Sequence, residues 1–488
     1  MTTTSLSPDR GSSRFRPGLI VLALFIANFV EGVLVSSAAV VAPAVGQLLT
    51  VSAGELNLAT VVQLIASVVA VPIIARLGDV YGHRRLLRIT VMVTIAGTLL
   101  CALAVNYPMY LTGKALEGGI AGFTALAIGI VRDHLEPAKA NRGAATVVAG
   151  LLVGGLVGQL LTGAVFAATD NVRIVLFVPF VFFAVSLILL FVMVPETRTR
   201  AVVRIDWFGA VTFALGLSTL MTVIANLSRW GYTSPLTIGI TLAAIALMVV
   251  WCVIELRVSE PFIDVRAIVD RATGPFYLVA FGFGWASWGT STAFSTFLAT
   301  PDKVGYGFGF VVTQIALFSA IGTVGSAAAS FAVGRLGSRR GYLAASYAGL
   351  GSMIVGYVVM CLWSGTLPLF IVGYVLVMIG VGTVATSIPV VISAGAKPTA
   401  VGIITALYTT SRGIAGAVAG AVFSLVLTSM VLKGTEVPTE GGYIAVWLTC
   451  AGTVLLAVIV VALFGIRRPL SGVTAALSIT STEGRWSR

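Results

Sequence analysis

The sequence predicts an all-α polytopic membrane protein with about fourteen transmembrane helices, and three observations carry that prediction. Hydrophobic residues make up 58% of the 488 positions and charged residues only 10%. No soluble core hides apolar surface on that scale. Apolar runs of about twenty residues follow one another almost from end to end, each long enough to cross a hydrocarbon layer of about 30 Å as a helix. Lys and Arg gather in alternate connecting segments, the asymmetry that orients membrane helices.

Taken in order, the polar stretch Met1 to Pro17 carries Arg10, Arg14 and Arg16, and an apolar run from Gly18 to about Pro43 follows without a small-residue cleavage pattern. The run is expected to be a first span, not a cleaved leader. Six spans are expected near 18–43, 56–77, 88–106, 109–131, 143–167 and 173–195. Two more lie near 206–228 and 236–256, and a last six near 274–300, 309–333, 342–363, 367–392, 400–431 and 442–466. Cys101, Cys252, Cys361 and Cys450 all fall inside spans, where a thiol packs as a small apolar group and neither disulfides nor thiolate metal sites are expected.

With the N-terminus placed in the cytoplasm, about 24 Lys and Arg fall in cytoplasmic segments and four outside, namely Arg173, Arg229, Lys303 and Lys433. An even number of spans returns the C-terminus to the same side, in agreement with the basic tail of Arg467, Arg468, Arg485 and Arg488. The net charge of +12 is therefore a matter of orientation and not of nucleic-acid binding.

Two short cytoplasmic loops resemble each other. Ala75-Arg-Leu-Gly-Asp-Val-Tyr-Gly82 matches Gly334-Arg-Leu-Gly-Ser-Arg-Arg-Gly341 at four of eight positions, each between two apolar spans. Duplication of a six-helix unit accounts for the pair. The loop follows the second span in the first copy and the tenth in the other, so two extra helices separate the halves. The expected organisation is a tail over 1–17, a six-helix bundle over 18–195, two added helices over 206–256, a second bundle over 274–466 and a tail over 467–488.

The first loop, continued to His83-Arg84-Arg85, resembles the signature between helices two and three of the major facilitator superfamily. That resemblance implies a conformational latch in which Asp79, Gly82, Arg84 and Arg85 hold the halves in an outward-facing state. Val80 and His83 stand where the family usually has basic residues. Three further segments resemble the fourteen-helix drug/proton antiporter branch of that superfamily: Asp206-Trp-Phe-Gly209, Trp230-Gly-Tyr-Thr-Ser234, and Glu255-Leu-Arg257 with Pro261. In helix five, Gly150, Gly154, Gly155, Gly158 and Gln159 are similar to the family's antiporter signature, with Gly155 in place of its proline and Gln159 in place of its last glycine. The same glycines also serve close helix packing.

Few charges enter the spans. Glu31 lies past the middle of helix one, and Lys114 and Glu117 are three residues apart on one helix face. The segment Lys114-Ala-Leu-Glu117-Gly118 resembles the family pattern Arg-x-x-Gln-Gly, which implies a part in proton coupling. Intramembrane charge is costly, so Glu31, Lys114 and Glu117 are expected to form a triad whose proton occupancy changes with access; a permanent Lys114–Glu117 ion pair is the structural alternative. Arg412 is expected to meet an anionic group, an acidic partner or backbone carbonyls. Asn28, Glu31, Gln63, Trp285, Trp288 and Arg412 are the candidate substrate-binding residues.

No G-x-x-x-x-G-K-[ST], H-E-x-x-H or G-x-S-x-G sequence occurs, so ATP hydrolysis and hydrolase chemistry are not expected, and no catalytic residue, metal or cofactor is assigned. The expected function is secondary transport: proton-coupled export of small amphipathic or cationic organic compounds, by alternating access in a multi-pass plasma-membrane protein with both termini inside. The expected partners are the lipid bilayer, protons and a small organic substrate. Proton-coupled uptake of a metabolite and a non-transporting polytopic sensor are the alternatives.

Overall fold

The computed structural model describes residues 17–195, 206–231, 233–258, 274–394 and 401–464. Both terminal tails, Tyr232 and Pro261 lie outside the described residues. Nine helices form the first part: α1 Pro17–Leu49, α2 Ala53–Tyr81, α3 His83–Ala102, α4 Tyr107–Glu117, α5 Phe123–His134, α6 Pro137–Thr169, α7 Val172–Met193, α8 Trp207–Trp230 and α9 Pro235–Glu255. Seven follow: α10 Gly274–Trp288, α11 Ser291–Ala299, α12 Val312–Arg340, α13 Tyr342–Leu362, α14 Leu367–Ala394, α15 Val401–Ser429 and α16 Glu440–Phe464.

Local chemistry sets several of the starts. Ser52 and Glu55 form a reciprocal capping box on α2, satisfying two backbone N–H groups that the helix leaves unpaired. Asn106, Asp206 and Ser234 cap α4, α8 and α9 through the N–H groups of Met109, Gly209 and Thr237. The closing glycines of the two repeated loops take the same backbone form, Gly82 at φ 101° and Gly341 at φ 90°. A side chain would strain either turn.

Thirteen helices among the described residues are long and apolar enough to span a bilayer. The difference from about fourteen lies at 274–300, expected as one helix and found as α10 and α11, broken at Gly289 and Thr290. A Cβ on Gly289 would come within 2.6 Å of Ala419 and 2.9 Å of Phe423 on α15, and the hydroxyls of Ser287, Thr290, Ser295 and Thr296 bond back to carbonyls three or four residues earlier. Such back-bonding in a Ser/Thr-rich stretch bends or interrupts a helix. Helix four is likewise not continuous, because a 3-10 segment, Gly118–Gly122, separates α4 from α5.

Side chains on the outer surface include Ile188, Phe208 and Leu362, each more than 60% exposed. Lipid is the solvent for such a surface. Inside, one apolar cluster joins α1, α3, α5, α6 and α7, and a larger one joins α10 to α16 with parts of α1 to α4 and α7 to α9. The pairing α1 with α6 is the most extensive and runs through glycine. A Cβ on Gly154 would lie 1.9 Å from the Phe29 carbonyl oxygen, one on Gly150 2.5 Å from that of Phe25, and one on Gly158 2.6 Å from Val33. Packing therefore explains three of the helix-five glycines, whereas Gly155 has nothing within 4 Å.

Contacts between the two parts run from one end of the helices to their middle. The Asn57 amide donates to the Gly420 carbonyl, Ser424 donates to Gly54 at 2.7 Å, Thr60 meets Thr292 at 2.7 Å and Thr323 donates to Gln159 at 3.0 Å. Nearer mid-helix, Gly413 meets Val68. Gln159, at the family's glycine position, thus ties α6 to α12. Helix α8 packs on both α2 and α15, along the seam between them.

Candidate functional site

Among the described residues, four acidic or basic side chains, Glu31, Lys114, Glu117 and Arg412, lie well inside the spans, and the structure places them at three separate points. Glu31, fourteen residues into α1 and so roughly 21 Å from its start, is 7% exposed. Its carboxylate accepts a hydrogen bond from the Thr124 hydroxyl on α5 at 3.4 Å. The same hydroxyl lies 2.6 Å from Asn28 Oδ1. Among the described residues no Lys, Arg or His comes within ion-pair distance of Glu31.

Asn28 is fully buried and also donates to the Leu24 carbonyl at 3.1 Å. Its carbonyl oxygen joins α1 to α5, and one amide N–H bonds within α1.

Lys114 and Glu117 form an ion pair at 2.7 Å, with only 5% and 1% of the residues exposed. The ammonium also stands 5.5 Å from the centre of the Tyr110 ring. Helix α4 brings the two together because residues three apart share a face. The expected triad does not assemble: Thr124, the partner of Glu31, lies seven residues beyond Glu117, on the order of 10 Å away at helical rise. The intervening 3-10 turn packs closely on α2, where a Cβ on Gly118 would meet Ala66 at 2.4 Å.

At the α2–α3 junction the expected latch has different partners. Asp79 pairs with His83 at 3.2 Å, and the other ring nitrogen of His83 lies 3.5 Å from Asp133 at the end of α5. Arg84 donates to the Phe191 carbonyl at 3.0 Å, and Arg88 to the Leu190 carbonyl at 3.0 Å while its guanidinium stacks 4.0 Å over the Phe191 ring. Arg85 is exposed. The basic side chains after Gly82 thus turn to the carbonyls at the end of α7, where a helix C-terminus attracts cations, and the histidine takes the acidic groups.

Arg412 on α15 is enclosed by rings: Phe283 at 4.6 Å, Trp288 at 4.7 Å and Tyr408 at 5.4 Å. Trp285 packs edge-on to Phe423 at 5.8 Å, and Gln63 is half-buried on α2. Spacing in the sequence places Tyr408 one turn before Arg412 and His83 one turn after Asp79. Nothing in it pointed to Asp133, Thr124 or Phe283, which reach these sites from other helices. A separate apolar crevice of about 560 Å³ lies between α2, α4 and α8, lined by Val61, Ile65, Val69, Ala115, Ala214 and Met221 among others. All four cysteines are free.

Comparison with known proteins places these features. The family model described as Major Facilitator Superfamily matches residues 24–420. Multidrug resistance protein 3 of Bacillus subtilis is 23% identical over 268 residues, covering 54% of this chain and 51% of that protein. Quinolone resistance protein NorB of Staphylococcus aureus is 26% identical over 434 residues, 84% of this chain and 88% of that protein. The match thus spans about half the length of the Bacillus relative and most of the Staphylococcus one. Among solved structures, nucleoside transporter NupG superposes with a TM-score of 0.64 at 14% identity, covering 91% of this chain and 99% of that one. A bacterial homologue of the human lysosomal transporter Spinster, in an inward-facing and unoccupied conformation, gives 0.60 at 15% identity, covering 97% and 99%. At that identity the likeness concerns the fold.

Proposed function

The chain belongs to the major facilitator superfamily, a family of membrane transporters and not of enzymes, and on that premise we propose that it exports small amphipathic or cationic organic compounds in exchange for protons. The observation that carries this is Glu31, a buried mid-span carboxylate whose partner is a neutral hydroxyl. A carboxylate in that position must have its charge offset by a bound proton or by a cationic group. Proton and substrate thereby become mutually exclusive occupants, which is the condition for exchange. The relatives named for multidrug and quinolone resistance support the direction of transport.

In this scheme the bundles 18–195 and 274–466 rock about the seam that α8 covers, with 206–256 as added helices. Lys114 and Glu117 neutralise each other, and proton exchange falls mainly to Glu31. The Lys and Arg bias supports cytoplasmic termini in the plasma membrane. Gly54, Asn57, Thr60 and their partners then close the outer end, and the cytoplasmic end is the one through which substrate enters. The Asp79–His83 and His83–Asp133 ion pairs and the Arg84–Phe191 hydrogen bond lie within the first bundle, which supports a latch released in an inward-facing state.

The test is a proteoliposome assay with an internal pH dye and an opposing gradient of a cationic dye. Export coupled to counter-moving protons supports the proposal. Protons travelling with the substrate would make the protein a symporter, and no flux of any amphiphile would remove transport of this class.

A further inference from the structure

Arg412 has no part in the proton path just described. It sits eleven residues into α15, roughly 17 Å from the first residue of the helix and 26 Å from the last, too deep to reach a lipid headgroup at either surface. A guanidinium at such depth needs compensation. No carboxylate among the described residues lies within ion-pair distance of it. Its neighbours are the rings of Phe283, Trp288 and Tyr408, whose faces offset positive charge only in part and accept no strong hydrogen bond.

The hydrogen-bonding account is also incomplete. Arg412 Nε is buried without a hydrogen-bond partner, and the Tyr408 hydroxyl one turn earlier faces the guanidinium as a single neutral neighbour. Arginine offers five donors and no acceptor, so what is missing here is an acceptor. The rest of the residue is partly accessible, which leaves the fork open to an incoming group. The backbone is held tightly: a Cβ on Gly284 would meet the Arg412 carbonyl at 2.3 Å, and one on Gly416 would meet Trp288 at 2.8 Å. Helices α10 and α15 thus fix a cation beside a flat aromatic platform.

We propose that Arg412, Tyr408, Trp288 and Phe283 form a recognition site for the anionic end of the substrate, a planar carboxylate or sulfonate attached to an aromatic or other apolar body. The guanidinium fork matches a carboxylate in bidentate geometry, and the rings beside it hold the body. This rests on the transport reading and narrows it from amphipathic compounds in general to zwitterionic amphiphiles, whose cationic end still answers Glu31 while the acid end meets Arg412. An organic acid in the cell supplies the acceptor that Arg412 lacks, and its departure outward leaves the cation held by rings alone.

Full-length protein in nanodiscs is tested by equilibrium binding of naphthoate, its neutral isostere naphthamide, and naphthylmethylammonium. Wild type is expected to hold naphthoate at least tenfold more tightly than naphthamide. Arg412→Gln should abolish that preference, and Arg412→Lys, which keeps charge without the fork, should retain part of it. Trp288→Ala should weaken both ligands. Equal binding of acid and amide to wild type, or a preference that survives Arg412→Gln, overturns the site; Arg412→Lys decides the matter if the glutamine variant does not fold. Proton-coupled flux of the cation with no preference for the acid removes the site and leaves the transporter. An Arg412-dependent preference without flux of any probe keeps the site and removes the transport reading.

Discussion

Lys114 and Glu117 show what one buried pair demands of its neighbours. Each side chain alone would be an unmatched charge in a dry interior, so Glu117→Gln or Lys114→Met is expected to destabilise the protein by roughly 3–5 kcal/mol, while Lys114→Met with Glu117→Leu recovers most of the loss. Thermal unfolding in detergent checks this. His83 makes a second prediction. It bridges two acidic neighbours, Asp79 on α2 and Asp133 on α5. His83→Ala should therefore speed backbone hydrogen exchange at the α2–α3 junction relative to wild type, whereas His83→Arg, which keeps a donor toward both carboxylates, should leave it largely protected. At this scale the sequence was partly readable. The Lys114–Glu117 pair follows from three-residue spacing, whereas Asp133 and Thr124 are brought in by tertiary packing that no local pattern encodes. In this conformation the carbonyls at the end of α7 take Arg84 and Arg88, and Asp79 pairs with His83 instead.

Helix α6 separates packing from signature at the level of the element. Gly154 and Gly155 are adjacent in sequence, yet a Cβ on the first would strike the Phe29 carbonyl at 1.9 Å and one on the second would meet nothing within 4 Å. Gly154→Ala is expected to cost about 1–3 kcal/mol through displaced backbone. Gly155→Ala should be neutral or stabilising by up to about 1 kcal/mol, since alanine favours helix over glycine. Paired melting curves settle it, and equal losses would contradict the packing account. Apolar runs located the helices well because hydropathy is a local property. Their interruptions were not visible, because α10 yields to α11 where Gly289 meets α15, and that contact is over a hundred residues away in the chain.

For the whole molecule, the contacts described between the two halves run from one end to mid-helix, through Asn57, Thr60, Gln159, Ser424 and Gly413. A carrier built this way must break the Asn57, Thr60 and Gln159 contacts to expose the opposite face, and under the proposed exchange the energy for that comes from what Glu31 binds and releases. The repeat and the span count made the two-fold plan readable from sequence, but not which end is closed, since one chain encodes both states. The most direct measurement is a comparison of wild type with Glu31→Gln in the proteoliposome assay. The amide keeps an acceptor for Thr124 and removes the titratable charge, so the account predicts a folded protein that still exchanges labelled for unlabelled substrate but releases no protons when substrate moves. Undiminished substrate-evoked proton release from Glu31→Gln would contradict it.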